Sequence, residues 1–144
     1  MSLVKLNPYN SAVAGKEFRL NIAGMTDRKI FFTILGDDAP VVQEYIDATN
    51  EQFIEENGIV DRTADQKLDF LQGRFALQVI AVRTEMLDGK KTTQAKIEIG
   101  EGEWLPAGEK LAKRVFEEKM KFVYEPVFAF SRNRANFLPG AGGK

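Results

Sequence analysis

At 144 residues, 44% of them apolar, the chain carries enough apolar side chains for one hydrophobic core and is short for two. With no cysteine and no histidine it lacks disulfides, thiolate nucleophiles, the usual general base near neutral pH and the commonest transition-metal ligand. The net charge of -1 hides an uneven distribution: Asp37 to Phe70 holds ten acidic residues against Arg62 and Lys67, and Glu109 to Lys144 holds eight basic residues against four acidic ones.

Only Ser2, Ser11 and Ser131 are available as hydroxyl nucleophiles of the serine type, and none lies in a nucleophile-elbow sequence. Carboxylate or carboxylate-metal chemistry remains, but the spacing of the acidic residues gathers them into no convergent site, so no catalytic, cofactor-binding or metal-ligating residue is assigned. There is no long apolar run and no leader-like start, so a soluble, intracellular protein is expected. The charge asymmetry has two readings: solvated helix faces that attract weakly within one fold, or complementary ends that draw copies of the chain into a homo-oligomer.

In chain order, residues 1–14 show little periodicity and contain Asn7, Pro8 and Asn10, which reads as a flexible N-terminal arm. From Lys16 to Ile22 apolar and polar residues alternate, Gly24 to Asp27 supplies a turn, and Lys29 to Leu35 is rich in β-branched and aromatic residues. Together they predict an antiparallel β-hairpin, which needs helices or further strands against its apolar face.

Asp37 and Asp38 read as acidic caps before Pro40, and Asn57-Gly58 reads as the stop of an amphipathic helix. Its buried face is expected to be Val42, Tyr45, Ile46, Thr49, Phe53 and Ile54, with Glu44, Asp47, Glu51 and Glu55 pointing away. Thr63-Ala-Asp-Gln66 fits a capping box, and Leu68, Leu71, Phe75, Val79, Val82 and Met86 then recur at helical steps until Leu87-Asp88-Gly89. That predicts a central helix, with Gly73 as a notch where another backbone approaches closely. Thr93, Ala95, Ile97 and Ile99 alternate with polar residues, as either a third strand near 92–99 or a loop, and Trp104 is expected in the core.

Phe116, Met120, Val123, Val127, Phe130, Arg134 and Phe137 follow at alternating steps of four and three, a single stripe on a helix. Pro126 stands inside it, so a break is expected near Lys121 to Glu125, with Pro126 in the first turn of a second helix. Either the rest of the domain covers the stripe or a partner chain does. On the second reading Phe116, Met120, Val123, Val127, Phe130, Arg132, Arg134 and Phe137 are the candidate partner-binding residues. The last residues, 139–144, read as a flexible glycine-rich tail. The predicted architecture is α+β: one domain over 15–138, an N-terminal antiparallel hairpin packed on about four α-helices.

In this order of elements the chain resembles the tail assembly chaperones of long-tailed bacteriophages. The resemblance is carried by the aspartate pair opening the acidic helix Asp37 to Gly58, the Thr63-led helix, the Leu87-Asp88-Gly89 break, Trp104 and, most specifically, the ending Phe128-Ala-Phe-Ser-Arg-Asn-Arg-Ala-Asn-Phe-Leu138. The charged segment from Lys90 to Glu103 and the glycine tail depart from the family pattern. The resemblance implies a non-enzymatic protein of the host cytoplasm that binds the tape measure protein and tail tube subunits and leaves before the virion is complete. Members of that family are often made in two lengths by a ribosomal frameshift, with which the terminal Gly143-Lys144 is compatible.

Two other readings stay open beside it. One is a small nucleic-acid-binding regulator using Lys110, Lys113, Arg114, Lys121, Arg132 and Arg134 with Phe128 and Phe130, against which a pI of 5.6 and the acidic arm count. The other is a structural phage protein retained in the particle.

Overall fold

The computed structural model describes Leu3 and residues 7–138, and the proposed tail 139–144 lies outside them. The chain is α+β, as the periodicities predict. Helix α1 (Tyr9–Ala14) leads into strands β1 (Lys16–Leu20) and β2 (Arg28–Ile34), then helices α2 (Pro40–Asn57) and α3 (Ala64–Gln78) and strand β3 (Val79–Met86). Short strands β4 (Thr93–Gln94), β5 (Ile97–Gly100) and β6 (Glu103–Leu105) follow, then helices α4 (Glu109–Glu117) and α5 (Lys121–Arg132) and a 3-10 turn, Arg134–Phe137.

The main sheet is antiparallel in the order β1-β2-β3-β4, and β5 and β6 form a separate two-stranded ribbon. Pairing of Phe18 with Phe32 and of Phe32 with Val82 puts one apolar residue from each strand on the same side. That face carries Leu20, Ile30, Phe32, Ile34, Val79 and Val82 into the core, where α4 and α5 add Leu111, Val115, Phe116, Val123, Val127 and Phe128. The opposite face is polar: Arg83 lies 4.1 Å over the Phe31 ring and holds Glu17 and Glu85.

The central helix expected over Leu68 to Met86 is half helix and half strand. Its first part is α3, but from Val79 onward the chain is the third strand of the sheet. A bulge opposite Thr33 and Ile34 pairs Ile34 with Val79 and Thr33 with Ala81, so Ile80 is extra. Val79 and Val82 thereby point to the same side, and a step of three imitates helical spacing. The β-branched content of Val-Ile-Ala-Val-Arg-Thr was the competing signal.

The first residues are not a free arm over 9–14. They form α1, whose Ala12 is buried against Gly36, where an added Cβ would come within 2.7 Å of the Ala12 Cβ. The Gly36 amide donates to the Ala12 carbonyl at 3.0 Å.

The break between the last two helices lies at residues 118–120, earlier than expected, and Pro126 sits inside α5 instead of in its first turn. Lys119 takes the left-handed conformation (φ 51). Lys119 N–H bonds the Phe116 carbonyl and Met120 N–H the Val115 carbonyl, a helix-ending Schellman pattern that stops α4 without proline. Pro126 costs α5 the hydrogen bond to Phe122, a residue 56% exposed, so the affected turn lies on the solvent side.

The ribbon is tied to the body by two arginines. Arg28 donates to Glu98 at 2.8 Å and lies over Trp104, which is half-buried beside it, and Arg114 grips Glu103 at 2.8 and 3.1 Å. The arginine hydrogen bonds hold both glutamates below their ordinary value of 4.5, and burial opposes them. Because the folded values are depressed, this stabilisation is complete above pH 4.5 and is lost as the pH falls through the lower folded values. A melting curve followed by circular dichroism should show a plateau from about pH 5 to 7, where a chain without histidine has no side chain that ordinarily titrates. Glu103→Gln should shrink the acid-side fall, and an undiminished fall in that variant contradicts the assignment.

Candidate functional site

The stripe from Phe116 to Phe137, expected as a partner-binding seam, is core. Phe116, Val123, Val127 and Phe137 are buried in their own chain, Val127 at 0% exposure. Met120 and Phe130 are half-buried, with Phe130 wedged between Phe18 and Phe137 at 5.0 and 5.5 Å. A stripe spaced four and three fits the inside of a fold as well as the inside of an interface, and here β1, β2 and α3 cover it.

The two arginines of that set are exposed. Arg134 reaches the carboxylate of Asp38 through two hydrogen bonds of 2.8 and 2.9 Å, which raise its pKa, and so is neither buried nor free for a partner. Asp38 is thus an ion-pair acceptor, and Asp37 likewise caps nothing, because Ala39 is the N-cap residue of α2 and makes no side-chain cap bond. Asp37 accepts from Arg74 at 2.8 Å and from the buried Gln78 amide at 3.0 Å, and its own amide donates to the Ser131 carbonyl. Gln78 also donates to the Leu35 carbonyl and accepts from Arg74, whose guanidinium lies 5.1 Å over Phe128. This network clasps the β2–α2 junction, the end of α3 and α5 together. Of the residues considered for nucleic acid, Phe128 is buried, Arg114 is held by Glu103 and Glu118 and Arg134 by Asp38, while Lys110, Lys113, Lys121 and Arg132 are exposed.

Beyond that clasp the α2–α3 hairpin is less covered, although Leu68 and Leu71 of α3 still pack against the main core. From Gln43 to Arg74 no residue is fully buried, although the sequence places an apolar stripe on each helix. The buried face expected of α2 is real only at its base. Val42 is buried with Leu35 and Ala39, whereas Tyr45, Ile46, Thr49 and Phe53 are half-covered and Ile54 is 49% exposed.

The hairpin is nonetheless well built. Thr63 and Gln66 form the predicted capping box, and Gly58 (φ 80) ends α2. Tyr45 lies in the notch at Gly73, where a Cβ would come within 2.0 Å of its hydroxyl, so the close approach is by a side chain and not by a backbone. That hydroxyl donates to the Phe70 carbonyl at 2.9 Å, and burial pushes its pKa up. Arg62 is stacked between Phe53 and Phe70 at 4.7 and 4.6 Å.

At the tip these contacts leave an apolar groove of about 560 Å³ lined by Phe53, Ile54, Ile59, Val60, Phe70 and Leu71 among others. Ile59 is 93% and Val60 61% exposed, in a helix–helix connection where polar residues are usual. Exposed β-branched residues between two helices are a signal the sequence contains; periodicity alone passes over it because the pair lies in a turn.

Among the described residues no three His, Cys, Asp or Glu side chains stand where they could hold a metal ion, and no helix is long and apolar enough to cross a membrane. No protein-family model, characterised protein or solved structure matches this chain.

Gly73→Ala should lower stability in urea titration by about 1 kcal/mol or more, because displacing the Tyr45 ring outweighs the gain in helix propensity. On a Tyr45→Leu background the same change should be neutral or stabilising. A stabilising effect in the native background contradicts the packing described.

Proposed function

We propose that the chain is a non-enzymatic bacteriophage tail assembly chaperone whose α2–α3 hairpin holds the tape measure protein before tail tube subunits are added. The observation that carries this reading is the hairpin itself: a pair of helices clasped at its base whose tip leaves Ile54, Ile59 and Val60 exposed. A long helical partner has apolar faces that need shielding until the tube forms, and a helical arm with an open groove suits that task.

The resemblance supports the same reading from another side. Its most specific segment, the ending through Arg134 to Leu138, meets Asp38 at the base of the hairpin through the Asp38–Arg134 ion pair. Phe137 is buried there, and the Asn136 amide donates to the Phe130 carbonyl. The ending that resembles the family thus works as a clasp for the arm. On this reading the protein acts in the host cytoplasm and is absent from finished virions.

Co-expression with segments of the tape measure protein from the same genome tests it. Capture of one segment is expected with the native chain, and Ile59→Asp with Val60→Asp should reduce it about tenfold or more while leaving the melting temperature unchanged. Val127→Asp should abolish folding, since it places an unpaired carboxylate in the core. Capture that survives the tip substitutions, or no capture of any segment, contradicts the proposal.

A further inference from the structure

The groove also constrains what enters it. We infer that its occupant is an amphipathic α-helix, laid apolar face down, with lysine or arginine along the edge that runs beside α2. This rests on the hairpin being a partner-binding arm and adds the conformation and charge of the partner segment.

The conformation follows from the walls. Two walls of the groove are helices, whose backbone groups away from the ends are already paired within each helix, and Ile59 to Arg62 of the connection between them, which belong to no strand, close its end. An extended segment would find no strand edge there and, along the two helical walls, would leave its own amides and carbonyls facing apolar side chains. A helix satisfies its backbone internally and presents only side chains to Phe53, Ile54, Ile59, Val60 and Leu71.

The charge follows from α2, which contains Glu44, Asp47, Glu51, Glu55 and Glu56 and no basic residue. Asp47, Glu51 and Glu55, at steps of four, form an exposed row next to the groove-lining row of Asn50 and Ile54. The helix has no acidic residue in its first turn and no basic one in its last, while Glu55 and Glu56 sit at the C-terminal end, where the helix dipole disfavours negative charge. This arrangement works against α2 in isolation, and a cationic partner relieves it. Within the groove, Arg62 is occupied by its two aromatic rings, and the remaining charged lining residues, Asp61 and Lys67, lie in the connection and on α3, away from the α2 edge.

The test uses two labelled helical peptides of about 14 residues, roughly four turns, with the same leucine face and flanks of either lysine or glutamate. Binding to the full chain is followed by fluorescence anisotropy and peptide helicity by circular dichroism. The lysine peptide should bind, gain helicity and weaken as salt is raised; Ile59→Asp with Val60→Asp, or Glu51→Gln with Glu55→Gln, should each weaken it about tenfold. The glutamate peptide should not bind.

Equal binding of the two peptides, or lysine-peptide binding that ignores both double substitutions, overturns the inference. So does concentration-dependent self-association that is lost on substituting Ile59 and Val60, which would make a second copy the occupant. A lysine peptide that behaves as expected while no tape measure segment is captured leaves the groove chemistry standing and removes the chaperone reading. Capture of a tape measure segment that both double substitutions leave intact overturns the groove inference.

Discussion

Phe75 is the residue on which the rest of the structure depends. It is the buried end of the α3 stripe, and its ring meets Phe32 of the sheet, Phe116 of α4 and Phe128 of α5, each edge-on at 6.0 to 6.4 Å. Edge-to-face pairs add about 0.5–1.5 kcal/mol each beyond burial, and emptying such a site costs about 3–5 kcal/mol. Three layers therefore share one contact, and the hairpin is fastened to the body at the same point.

Around that ring the polar groups hold the hairpin's base. Asp37, Arg74 and Gln78 satisfy one another and the Leu35 carbonyl, and among the described residues no buried side-chain nitrogen or oxygen lacks a partner. A network of this kind specifies one arrangement of the elements it joins, because losing any member leaves a buried polar group unpaired. The hairpin leaves the body in one direction, while its far half is free to meet something else. The hairpin is held by polar contacts at its root and exposes Ile59 and Val60 at its tip.

What was legible in the sequence was local. The alternation in Lys16 to Ile22, the capping box at Thr63, Pro40 after Ala39 and the Asn57-Gly58 stop each belong to a few neighbouring residues, and each appears in the fold as read. Signals that depend on distant partners misled. The bulge at Ile80 gave a strand the spacing of a helix, and the small side chain of Ala12 concealed that the first residues dock on Gly36. Asp37 and Asp38 look like caps until Arg74 and Arg134 are seen beside them. Periodicity reports that a face is covered, not by what, so the ridge ending in Phe137 was open to two readings; the buried side chains of β2, α3 and α5 decide between them.

On the proposed function the far half of the hairpin is the working surface, whereas the C-terminal ridge is interior. Hydrogen exchange on the chain alone and with a captured tape measure segment tests this most directly. Amides of residues 50–62 should exchange readily in the free protein and slow on binding, while those of 123–130 should be protected in both states. Protection that appears on binding only over 116–137, with 50–62 unchanged, would contradict the account.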